Sequence, residues 1–79
     1  MITTDKIANS TYTIRTDACM QDIEARNANR AAAIFAADEF PGKRVRSVAD
    51  LFRVIRRIGD GAWCWIDGPE GRQSENWPN

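Results

Sequence analysis

The chain has 79 residues, of which 43% are hydrophobic and 28% charged, and its 11 basic and 11 acidic side chains cancel to no net charge. About 60% of the unfolded surface is buried at this size, so one compact domain is expected and a deep catalytic cleft between two domains is excluded. The absence of histidine excludes His-based acid–base and nucleophile chemistry and the common zinc and iron sites, and the spacing of the two cysteines, Cys19 and Cys64, fits no metal motif, so both are expected as free thiols.

In chain order, the single domain is expected to span residues 1–79, with flexible ends at 1–9 and 78–79. The first ten residues carry one Lys6 and no apolar run, so no secretory leader is expected. Residues 10–16 are β-branched and aromatic. Tyr12 and Ile14 share one face, while Thr11, Thr13 and Arg15 share the other, which predicts a half-buried strand. Residues 20–39 are alanine-rich and free of Gly and Pro. Met20, Ile23, Ala31, Ile34 and Phe35 fall in one helical sector, opposite Asp22, Arg26, Asn29 and Ala33. This predicts a helix of about five turns, started by Asp17 and ended by Pro41-Gly42. Asn27, on the apolar side, is expected to be hydrogen-bonded locally.

Residues 43–46 are expected as a brief edge strand with Val45 inward. Ser47 and Asp50 have capping-box spacing at the start of a second helix. Val48, Leu51, Phe52, Ile55 and Ile58 form its apolar stripe, and Gly59 its cap. A hairpin of residues 52–58 with 62–67 is the rival reading, but helical spacing fits better. Residues 62–67 form the clearest strand. Both its faces are apolar, Trp63 and Trp65 on one and Ala62, Cys64 and Ile66 on the other, so it is expected to be central. A turn at Gly68-Pro69-Glu70-Gly71 then returns the chain as an edge strand ending in Trp77. The fold class is α+β: a small, mainly antiparallel sheet of three to four strands with two helices on one face.

Residues 43–57 hold six basic side chains, Lys43, Arg44, Arg46, Arg53, Arg56 and Arg57, against the one acid Asp50. A solvated helix face and a charge-guarded edge account for this without any ligand. A patch for phosphates or acidic protein also accounts for it. Trp63 and Trp65 are core residues if they point at the helices, as a small core demands. They are an interface pair if they point away, which the small Ala62 and Cys64 allow. Carboxylate pairs Asp22/Glu24 and Asp38/Glu39 lack the i, i+3 or i+4 spacing of neighbouring groups. Asp60, Asp67 and Glu70 match no calcium loop, and Gly59-Asp60-Gly61 precedes a strand rather than a helix, so it is no phosphate loop. No enzyme and no cofactor are expected. The longest apolar stretches, 31–37 and 62–66, are far short of the ~20 residues of a membrane span, and no membrane partner is expected.

The short first strand, the alanine-rich helix around Ile23-Glu24-Ala25 to Ala31-x-x-Ile34, then Gly61-x-Trp63, Gly68 and Trp77 form a layout. It resembles small phage-encoded anti-CRISPR proteins that inhibit type I (Cascade) effector complexes. The resemblance covers about two thirds of the chain. The 43–58 segment is an addition to it, so no contact residues are carried over. What it implies is a cytoplasmic, non-catalytic inhibitor that binds effector backbone subunits and keeps the complex from target DNA. Partner-binding residues expected from the bottom-up reading are Arg44, Arg46, Arg53, Arg56, Arg57, Trp63 and Trp65. The acidic side, with Asp22, Glu24, Asp38 and Glu39, is the alternative surface, as a mimic of DNA phosphates. The alternative function is a small nucleic-acid-binding accessory module using the 43–57 segment. Monomer and homodimer are both left open.

Overall fold

A computed structural model of the chain describes residues 9–59 and 61–77. The elements run β1 (Ser10–Thr16), β2 (Met20–Ala25), α1 (Ala28–Glu39), α2 (Val48–Ile58), β3 (Ala62–Gly68) and β4 (Gly71–Trp77). The four strands form one antiparallel sheet in the order β2-β1-β3-β4, so β1 and β3 are central. Both helices cover one face, as expected of the α+β class. Of the flexible ends expected at 1–9 and 78–79, residues 1–8 and 78–79 lie outside the described residues.

The long first helix is corrected. Residues 20–25 are a strand, with Ile23 and Ala25 buried and Met20, Asp22 and Glu24 exposed. Ile23 satisfies both a period of two and one of 3.6, so it could not decide between them. What decides is the pairing of Ile23 with Tyr12 across the hairpin, and the cap that follows. Asn27, not Asp17, starts α1: its backbone is extended and its Oδ1 accepts from the Arg30 N–H at 2.8 Å. Asp17 lies instead in the β1–β2 turn, where Thr16 Oγ1 accepts from the N–H groups of Ala18 and Cys19. The brief strand expected at 43–46 is also corrected. This segment is irregular, though Val45 does point inward and is buried.

α2 forms where expected. Ser47 Oγ accepts from the Asp50 N–H at 3.1 Å, and Gly59 caps the end at φ 113°. Asp50 bonds the Arg46 N–H rather than that of Ser47, so the reciprocal half of the capping box sits one residue early. Asn29 of α1 accepts from the Val48 N–H at 2.9 Å and ties the two helix starts together. The core lies between sheet and helices: Tyr12, Ile14, Cys64 and Ile66 from the central strands meet Phe35, Leu51 and Ile55 from the helices, all at most 2% exposed. On β4, only Trp77 is half-buried, edge-on to Phe52 with ring centroids 5.9 Å apart.

Candidate functional site: the open face of the sheet and a basic cleft

Strand alternation decides the two tryptophans. Ala62, Cys64 and Ile66 fill the helix side and are at most 3% exposed, so Trp63 and Trp65 point off the other face and are half-buried there. The core reading of this pair is thereby overturned. The small side chains on the inner side of β3 are what the closely packed helices require.

The pairing register assembles their neighbours. Arg15 on β1 and Ser74 on β4 flank Trp65, and Asn76 lies opposite Trp63. The Arg15 guanidinium carbon sits 6.0 Å from the Trp63 ring centroid, and that of Arg72 sits 4.2 Å from the Trp65 ring centroid. Arg72 also reaches Asp67 Oδ2 at 3.3 Å. Such cation–π contacts contribute about 0.5–1 kcal/mol at exposed positions and help hold the two guanidiniums beside the rings. Asp22, Glu24 and Asp67 share this face with the two arginines. Asp22 is bonded by the Thr13 hydroxyl at 2.7 Å. The face is thus aromatic and close to neutral rather than cationic.

The basic residues lie on the helix side. Lys43, Arg44, Arg53 and Arg57 surround a cleft of about 330 Å³ whose floor is Phe40, Val54 and Ile58. The cleft's acid is Asp50, 2.9 Å from Arg53. The Arg46 N–H, and then Arg53 and Ser47, hold the Asp50 carboxyl below its ordinary pKa. Arg56 turns to an adjoining shallow surface beside Phe52, Glu75 and Trp77, and Arg53 lines both this surface and the cleft. Arg46 approaches Asp50 through its backbone alone among the bonds described. The seven residues expected to bind a partner therefore do not form one surface. Arg44, Arg53 and Arg57 come together, Trp63 and Trp65 come together, and the sheet separates the two groups.

The acidic alternative is divided as well. Asp22 and Glu24 face outward on β2, whereas Asp38 and Glu39 at the end of α1 both accept from Gln21 Nε2, at 2.9 and 2.8 Å. Sequence reasoning missed Arg15 and Arg72, because only the strand register places them over the tryptophans. The polar alternation of β1 was the available signal for Arg15.

Among the described residues, no group of three or more Cys, Asp or Glu side chains is arranged to hold a metal, and no helix is long and apolar enough to cross a membrane. Cys64 is buried, and burial, then the nearby Cys19, pushes its thiol up to about 12. Compared with known proteins, the chain matches no family model, no curated protein and no solved structure.

Proposed function

We propose that the chain is a non-catalytic, stoichiometric binding protein that engages a partner protein through the open face of its sheet. Its partner on this reading is a type I CRISPR effector complex, which it keeps from target DNA. The observation that carries the binding role is the Trp63–Trp65 pair standing off the helix-free face under Arg15 and Arg72. Trp and Arg dominate the energetics of protein interfaces, and a desolvated centre of this kind gains from their large, rigid surfaces. The near balance of charge on this face favours a protein over a phosphate backbone, which would call for a cationic platform. The choice of an effector complex rests on the layout resemblance alone.

The test is a pull-down with tagged chain from a bacterial lysate containing a type I effector, treated with nuclease, using wild type and the Trp63→Ala/Trp65→Ala variant. Near-stoichiometric recovery of effector subunits by wild type, lost in the variant, is the expected result. Recovery of bulk nucleic acid that vanishes with nuclease or moderate salt would replace this reading with the nucleic-acid module.

A further inference from the structure

The cleft on the helix side is not used by the sheet-face reading, and its chemistry is distinct. We propose that it is a second binding site, for an acidic peptide segment of a partner that inserts one bulky apolar side chain. The floor is the first observation. Val54 and Phe40 are half-buried, and Ile58 is left 64% exposed at the end of α2, although its stripe-mates Leu51 and Ile55 are buried. A large aliphatic group in that position contributes little to the fold and offers apolar surface to a guest.

The rim is the second observation. Lys43, Arg44, Arg53 and Arg57 surround this floor, and Asp50 answers only Arg53. Among the described residues, no carboxylate pairs with Lys43, Arg44 or Arg57. The surplus positive charge complements an acidic chain and sets its orientation and on-rate. The floor chooses between acidic chain and nucleic acid. Phosphates would satisfy the rim but leave the aliphatic floor without a partner. The one aromatic ring, Phe40, is already packed edge-on against Phe35 at 6.2 Å, so it is a poor platform for a base. A peptide with carboxylates flanking a Phe or Leu uses both floor and rim.

The experiment is fluorescence anisotropy on the full chain with three labelled probes: a short acidic peptide with a central Phe, the same peptide with Ala there, and a short oligothymidylate of similar charge. The Phe peptide is expected to bind with an affinity that falls with salt. The Ala peptide should bind at least about tenfold more weakly, for the lost apolar burial. Arg44→Glu/Arg57→Glu should abolish binding, and the uncharged Ile58→Ser should weaken it while leaving its salt dependence intact. Circular dichroism establishes that each variant is folded. The Trp63→Ala/Trp65→Ala variant should bind the peptide as wild type does, which separates this site from the sheet-face reading. Three results would each overturn the proposal: no binding of the Phe peptide, equal binding of the Phe and Ala peptides, or an oligothymidylate that binds at least as tightly.

Discussion

The ring of Tyr12 lies against Gly68, one step beyond the Thr13–Asp67 pair of the β1–β3 ladder, and its hydroxyl donates to both carboxylate oxygens of Glu70 in the following turn. A Cβ on Gly68 would stand 2.4 Å from two atoms of that ring. Gly68→Ala is therefore expected to cost about 1–3 kcal/mol by overpacking. At about 4–8 °C per kcal/mol for a domain of this size, the loss will show as a clear fall in melting temperature. Asp50 makes a second expectation. Its pKa is lowered in the folded chain, so it stays ionised there at pH values where the unfolded chain protonates it. Its stabilisation is complete above the unfolded value and is lost as pH falls through the folded one. Melting curves should show a difference between wild type and Asp50→Asn at neutral pH that shrinks below about pH 4. Cys64, fully buried with a thiol pushed up to about 12, should resist iodoacetamide at pH 8, and mass spectrometry should find half-buried Cys19 alkylated first.

At the scale of elements, the packed helix side and the open face of the sheet should respond differently to truncation. Leu51→Ala removes a side chain 0% exposed in the centre of the core and should cost about 2–5 kcal/mol. Trp65→Ala on the open face should cost about 1–2 kcal/mol, from half-burial and the contact with Arg72, and leave the chain folded. Chemical denaturation of both variants makes the comparison. The elements that local rules dictate were legible beforehand: β1 from its alternation, α2 from its stripe and Ser47 cap, and the β3–β4 hairpin from Gly68-Pro69-Glu70-Gly71. β2 was not, because alanines and acids on either side of Ile23 suit a helix locally, and only pairing with β1 makes them a strand. The orientation of Trp63 and Trp65 was undetermined for the same reason. Both faces of β3 are apolar, and which one meets the helices depends on where the helices return. The cleft was half legible, since its cations all fall within the basic 43–57 segment, while Phe40 joins them only through the Pro41-Gly42 turn, with Gly42 at φ 91°.

Across the whole molecule, a neutral chain is divided into a cationic cleft on the helix side and an aromatic, near-neutral face on the sheet side. The sheet separates them, so the two surfaces can be altered independently, and one partner can meet either without meeting the other. The proposed function is that the sheet face blocks an effector complex from its DNA. Its most direct test is a titration of the chain into a purified, guide-loaded type I effector complex, with target DNA binding read by mobility shift. Wild type is expected to abolish DNA binding at an equimolar ratio. Trp63→Ala/Trp65→Ala is expected to bind the complex at least about 30-fold more weakly, the scale of a hot-spot loss. Undiminished DNA binding in a large excess of wild type, or equal inhibition by a folded double variant, would contradict it.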